Sequence, residues 1–196
     1  NGVPTYIDTK GSIKFTIKDA EKASIFSNGL AWFSKVDKEG NELFGFIDKT
    51  GKEKISPIYY DALFFSEELA AVKNKENKWG YINNDGKLII NYQFANAGIF
   101  TEEKACVYDG KNYGYIDKNG KYLINPQFDD AKQFTQGLAA IKQGKTWGFI
   151  DKEGKIVINP QFDDAFLFSD DLAAVKSSEK WGYIDKDGKY SINPQF

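Results

Sequence analysis

Short apolar runs alternate with short polar ones along this chain. In one stretch Trp147, Phe149 and Ile150 precede the polar Asp151-Lys152-Glu153-Gly154. Ile156, Val157 and Ile158 come next, then Asn159-Pro160-Gln161 and Phe162. Aromatic and β-branched residues hold the apolar positions, and alternation over so few residues predicts strands half-buried on a sheet. No stretch reads as a long helix.

The same order returns at a fixed interval. A glycine following an aromatic falls at Gly45, Gly80, Gly114, Gly148 and Gly182, with spacings of 35, 34, 34 and 34 residues. A self-similar period of this size marks a repeat architecture. Each unit has three phases. The first is Trp, Tyr or Phe followed by Gly, an aromatic, Ile and Asp. The second is Lys-x-x-Ile-Asn-Pro-x-aromatic. The third is Phe-Ser/Thr-x-x-Leu-Ala-Ala-Val-Lys. The units fall at 5–43, 44–78, 79–112, 113–146, 147–180 and 181–196. The first is degenerate and cap-like, with an extra turn around residues 35–41, and the last stops after its second phase.

Between phases one and two lies Asp-Lys-x-Gly, at 117–120, 151–154 and 185–188. Asp first and Gly fourth is the signature of a type I turn, and a left-handed Gly makes it a bulged hairpin. Polar segments at 74–78, 109–112, 143–145 and 177–180 predict a second hairpin from phase three into the next phase one. Three strands per unit result, in an antiparallel meander. Pro126, Pro160 and Pro194 are expected where the second strand ends or meets an edge. Residues 129–134 leave room for a short helical turn.

Stacked units align equivalent residues into ladders. Ile82, Ile116, Ile150 and Ile184 form one; Ile90, Ile124, Ile158 and Ile192 a second; Phe94, Phe128 and Phe162 a third; Phe100, Phe134 and Phe168 a fourth. A lone hairpin is marginal in water, so each unit completes its neighbour's core. The expected fold is all-β: tandem 34-residue three-stranded antiparallel units stacked as an open solenoid or superhelical array. A closed propeller-like ring is the runner-up, because blades usually take four strands and about 40 residues or more.

Composition narrows the function. The 196 residues carry a net charge of -2, and all 26 basic residues are lysine. A near-neutral chain without arginine argues against a nucleic-acid partner. With one cysteine and no histidine, no internal disulfide, Cys/His zinc site, Ser-His-Asp triad or Cys-His dyad is available. No apolar run approaches the ~20 residues of a transmembrane helix. Methionine is absent, so Asn1 is expected to open a processed or excised piece, and the break inside the last unit to be a cut from a longer array.

Trp79, Tyr113, Trp147 and Trp181 occupy one position of the repeat, with Phe44 before them. Exposed in a row, these rings would stack on sugars or grip a peptide; packed between units beside the neighbouring Gly, they are core. Asp185-Lys186-Asp187-Gly188 echoes the start of an EF-hand loop but lacks its remaining ligands, so turn chemistry accounts for it and no metal or cofactor is expected. The pairs Asp129-Asp130 and Asp163-Asp164 recur once per unit, whereas catalysis needs one unique constellation; they are expected to close turns onto backbone N–H groups. Cys106 stands where other units have Ala71, Ala140 and Ala174, a place for a small buried side chain.

The recurring W/Y-G-aromatic-Ile-Asp-x-x-Gly-Lys, Pro-x-aromatic-Asp-Asp-Ala and Phe-x-x-Gly-Leu-Ala-x-Val resemble the bacterial WG-repeat family, from Tyr6 to Phe196. Phe44 and Tyr113 depart from its Trp; Glu68, Glu103 and Asp171 depart from its Gly before Leu-Ala. The resemblance implies a β-rich repeat module of bacterial proteins, often exported and sometimes beside other domains, with no catalytic motif and no established ligand. The expected function is therefore a non-enzymatic module binding a protein or peptide through an extended surface. The differing positions Tyr122, Ile156 and Tyr190 and the third-phase loops are where specificity is expected. The alternative is a glycan or cell-wall binding module that uses the aromatic series.

Overall fold

The computed structural model describes residues 2–196, and every regular element among them is a β-strand. A hairpin of β1 (Thr5–Ile7) and β2 (Ile13–Thr16) comes first. Sheet one is β3 (Lys22–Ala23), β4 (Leu30–Val36), β5 (Glu42–Asp48) and β6 (Glu53–Tyr59). Sheet two is β7 (Asp61–Ala62), β8 (Leu69–Lys73), β9 (Trp79–Asn83) and β10 (Leu88–Phe94). Sheet three is β11 (Asn96–Thr101), β12 (Lys104–Tyr108), β13 (Tyr113–Ile116) and β14 (Tyr122–Phe128). Sheet four is β15 (Asp130–Ala131), β16 (Ala139–Gln143), β17 (Thr146–Ile150) and β18 (Ile156–Phe162). Sheet five is β19 (Asp164–Ser169), β20 (Leu172–Ser177), β21 (Lys180–Ile184) and β22 (Tyr190–Ile192). Each sheet is a meander, with neighbours in sequence hydrogen-bonded side by side. The chain divides between Ile99 and Phe100 into two compact units.

Four strands per sheet correct the expected three. The third phase is itself a hairpin, split by a tight turn. In sheet four, Thr135 and Leu138 exchange backbone hydrogen bonds across Gln136 and Gly137, whose φ angles are 53° and 87°. Two successive left-handed residues make the turn type that suits the twist of adjoining strands. The strand before it is two residues long in β15, with Asp130 opposite Lys142 and Ala131 opposite Ile141. Residues 129–134 thus hold a short strand and no helical turn. Four-stranded antiparallel sheets are also the blades of propellers.

The sheets are out of phase with the sequence repeat. Unit 147–180 supplies the third and fourth strands of sheet four, then the first and second of sheet five. Each repeat therefore spans a joint between two sheets.

The Asp-Lys-x-Gly turns are bulged hairpins, as expected. In one, Asp151 Oδ1 accepts the N–H groups of Glu153 and Lys155 at 3.1 and 2.8 Å, and Gly154 takes φ 83°. The same arrangement holds the Asp8 carboxyl below its ordinary range, chiefly through the Ser12 N–H, and in the separate turn at 109–112 the Asn112 N–H does so for Asp109. In the turns of Asp37 and Asp48 the largest cause is the Asn41 amide and the Thr50 hydroxyl. The extra turn at Asp37 crowns the longer β4–β5 hairpin.

The second strand of the β17–β18 hairpin is bulged twice. Trp147 pairs with Phe162 and Phe149 with Ile158, so Asn159, Pro160 and Gln161 together face Gly148. A Cβ on Gly148 would lie 2.5 Å from the Ile158 carbonyl oxygen and 2.6 Å from Pro160 N. Gly45, Gly114 and Gly182 meet the same Ile oxygen and Pro nitrogen at 2.5–2.8 Å. The repeated glycine exists because the bulged backbone folds onto it. Pro160 sits inside an edge strand, at a bulge where no ladder donor is needed, rather than at the strand's end.

Within the first unit, Phe46, Ile55, Tyr59, Phe65, Val72 and Ile82 form the core between sheets one and two. Within the second, Tyr115, Ile124, Phe128, Phe134, Ile141 and Ile150 join sheets three and four, and Phe149, Ile158, Phe162, Phe168, Val175 and Ile184 join sheets four and five. The ladder positions are buried throughout, except that Ile192 on the last sheet is exposed. Buried tyrosines tie one sheet to the next: the Tyr115 hydroxyl donates to the Lys132 carbonyl at 2.7 Å and the Tyr81 hydroxyl to that of Gly98 at 2.8 Å.

At three of the tight turns both central residues are acidic: Glu67-Glu68, Glu102-Glu103 and Asp170-Asp171, with φ between 49° and 73°. A non-glycine residue in this region is strained by about 1–2 kcal/mol. Asp171 Oδ1 holds Lys186 at 2.7 Å, but its side chain is 78% exposed, and such pairs contribute about 0–1 kcal/mol. Asp171→Gly keeps the N–H that donates to Gln136 Oε1. It is expected to raise stability by about 0.5–1 kcal/mol, the difference between these two effects. A lowered urea midpoint would show the ion pair outweighing the strain.

Candidate interaction surface

The aromatic series does not form an exposed row. Trp79 and Trp147 are 6% and 5% exposed, and Tyr113 and Trp181 are half-buried. Each buried indole has a lysine ammonium over it: Lys73 lies 5.7 Å from the Trp79 ring, and Lys132 and Lys142 lie 4.9 and 5.9 Å from Trp147. These are cation–π contacts made within the protein. Tyr113 packs on Tyr108 at 4.7 Å. The reason is the bulge. The strand that folds over the glycine brings Phe162 opposite Trp147, and sheet five covers the rest. Trp181 faces the Phe166 ring at 5.1 Å, and Phe166 is 54% exposed. Phe166 escaped the sequence reading, although it stands where other units have Leu63, Gly98 and Lys132, a difference visible by alignment of the units.

The recurring carboxylates serve the backbone. Asp129 Oδ2 accepts the Gly144 N–H at 2.6 Å and Asp163 Oδ2 that of Ser178 at 2.8 Å, holding the tip of the adjacent hairpin. Asp130 and Asp164 accept the N–H of the following alanine at 2.8 Å. Among the described residues, no group of three acidic or cysteine side chains converges as a metal site would require. The Cys106 thiol is buried against the Ala131 carbonyl, 3.5 Å away. Burial, with the Asp130 charge second, pushes its pKa up to about 12, which disfavours the reactive thiolate.

What the fold does expose is apolar side chains on the outer strands. Leu123 on β14 is 46% exposed and Val157 on β18 is 42% exposed, with Ile156 beside it. Val157 lies at the bulge between Ile156 and Ile158, where the partner strand has no opposing residue. Asn125, Gln127, Asn159 and Gln161 are exposed on the same strands. In the first unit Ile58, Leu88 and Ile89 are exposed on the corresponding strands β6 and β10. Of the positions expected to vary, Ile156 and Tyr190 are exposed and Tyr122 is half-buried.

The sequence profile of the WG containing repeat matches residues 44–79, 79–113, 113–147, 147–181 and 181–196, in the register of the glycines. The chain belongs to the WG containing repeat family. No curated protein matches it. Solved structures share its fold at low identity. BamB from Moraxella catarrhalis is 7% identical over 92% of this chain and 63% of its own, with a TM-score of 0.56. Hsv2p of Kluyveromyces lactis is 14% identical over 88% and 63%, with a TM-score of 0.56. PorZ, a bacterial surface component of the type-IX secretion system of Porphyromonas gingivalis, is 9% identical over 96% and 29%, with a TM-score of 0.51. The WG repeat chain thus spans less than two thirds of each of these proteins. No helix among its described residues is long and apolar enough to cross a membrane.

Proposed function

We propose that this WG repeat chain is a non-catalytic interaction module that binds a protein or peptide across the outer strands of its sheets. The observation that carries this reading is the exposure of Leu123, Ile156 and Val157 on edge strands, with amide side chains around them. Apolar centres ringed by polar groups are the usual anatomy of a protein-binding patch. A glycan partner is less well supported, because Trp79 and Trp147 offer no free ring face.

The test is a double variant, Leu123→Glu with Val157→Glu. Both side chains are exposed, so the melting temperature is expected to stay within a few degrees of the parent. Peptides selected from a random displayed library on the parent are expected to bind the variant at least about tenfold more weakly. Peptides that bind both proteins equally would overturn the reading. So would a glycan array signal abolished by Trp181→Ala.

We further propose that the chain works outside the cytoplasm. The surface role printed for PorZ supports the location. Recovery of the tagged protein only in the cytoplasmic fraction of its source cell would count against this.

A further inference from the structure

Charge is distributed unevenly along the outer strands. The chain holds 28 acidic residues and 26 lysines, yet β10, β14, β18 and β22 carry no acidic residue at all. A lysine stands immediately before each of them: Lys87, Lys121, Lys155 and Lys189. β6 is the exception, since it begins with Glu53. In the second compact unit, Lys121, Lys155 and Lys189 are exposed and, among the described residues, form no ion pair. The lysines three positions earlier differ. Lys152 is held by Glu102 at 3.0 Å and Lys186 by Asp171 at 2.7 Å.

The nearest carboxylates are engaged by the backbone. Asp117 Oδ1 accepts the N–H groups of Asn119 and Lys121, both at 2.9 Å, and Asp151 and Asp185 do the same in their own turns. Exposed acids stand at two of the three turn tips, Glu153 beside Lys155 and Asp187 beside Lys189. At the third tip the same place is held by the neutral Asn119, so the positive excess is greatest at the start of β14. Apolar exposure falls beside these lysines. Leu123 follows Lys121 by two residues, and Val157 follows Lys155 by two. Leu123 also lines a cavity of about 350 Å³ whose other walls include Lys104 and Lys118.

We propose that the outer-strand surface of the second unit binds a partner-protein segment in which apolar residues stand next to aspartate or glutamate. The apolar side chains meet Leu123 and Val157, and the carboxylates meet Lys121 and Lys155. This rests on the reading of that surface as one that binds a protein or peptide, and it adds the partner's charge. Opposite charge across an interface speeds encounter and rejects wrong partners more than it adds raw affinity. The bulges at Val157 and at Asn159–Gln161 interrupt the even ladder that an added strand needs. The segment therefore meets side chains rather than pairing with the backbone edge. Nucleic acid also supplies anions, but it leaves Leu123 and Val157 without an apolar counterpart, and the chain has no arginine to read it.

The experiment selects peptides from a random displayed library on the 196-residue protein at low salt. It then measures them on two double variants, Lys121→Glu with Lys155→Glu, and Leu123→Ser with Val157→Ser. All four side chains are exposed, so both variants are expected to melt within a few degrees of the parent. The selected peptides are expected to be richer in Asp and Glu than the library. They are expected to bind the lysine variant about tenfold more weakly or worse, and the parent more weakly as salt rises. Peptides without acidic enrichment, or indifferent to lysine reversal and salt while lost on the Leu123/Val157 variant, would overturn the partner's charge and leave the binding surface standing. Peptides that bind both variants as they bind the parent, or a library that yields no binder, would sink the surface itself. A random-sequence oligonucleotide that binds the parent but not the lysine variant would make the lysines a nucleic-acid site and overturn the proposal.

Discussion

Gly148→Ala is expected to cost about 3 kcal/mol of stability or more, because the added methyl has nowhere to go. The atoms it meets are backbone: the Ile158 carbonyl oxygen, Pro160 N and Asn159 C, at 2.5, 2.6 and 2.9 Å. A side chain in the way could turn aside. A bulged main chain pinned by Phe162 opposite Trp147 and Ile158 opposite Phe149 cannot, without breaking the edge of sheet four. Gly137→Ala is the matched comparison. Gly137 is left-handed, with φ 87°, but nothing lies within 4 Å of its added Cβ. Strain alone is expected there, about 1–2 kcal/mol. Urea denaturation of both variants orders them, and equal losses would show that the close approach is not what the repeated glycine is for.

Phe149→Ala is expected to cost about 3–5 kcal/mol, the usual range for emptying a buried phenyl site. Phe149 is wholly buried, stacked edge-on against Phe168 of the next sheet at 5.0 Å. Tyr183 stands on the same rung one repeat later, pairing with Ile192 and Ala174 as Phe149 pairs with Ile158 and Ala140. Tyr183 is 37% exposed. Tyr183→Ala is therefore expected to cost only about 1 kcal/mol. The contrast between identical positions isolates what the neighbouring sheet contributes. Similar losses at both would mean that each sheet holds its own core.

The turns and ladders of this fold were legible because their signals are local or strictly periodic. Asp151 and Gly154 announce a bulged turn by chemistry alone, and Ile116, Ile150 and Ile184 announce a buried rung by recurring every 34 residues. The fourth strand was not legible. β15 is two residues long, too short for any alternation, and Gln136-Gly137 before Leu138 looks like an ordinary loop until paired strands show its hand. The bulge at Asn159-Pro160-Gln161 was hidden for a different reason. Three residues face one only in the folded pairing, so the sequence left proline at a strand end or an edge, and it is the edge that holds. That bulge also explains why Trp147 is buried, and hence why the aromatic series could not be placed from the sequence. Phe166 was not legible because the repeat pattern marks what the units share, whereas the exposed ring is where one unit differs.

The offset between repeat and sheet bears on how such a gene can change length. From Phe44 onward the period is 34–35 residues, so one period, wherever it starts, carries four strands in circular order: third, fourth, first and second. A tandem duplication therefore inserts one whole further sheet, whatever its breakpoints. It also recreates at its seams the same Tyr-to-carbonyl and Phe-on-aromatic joint that is already present. Within that span no breakpoint is expected to leave an orphan strand, so recombination would lengthen or shorten the chain in steps of one sheet.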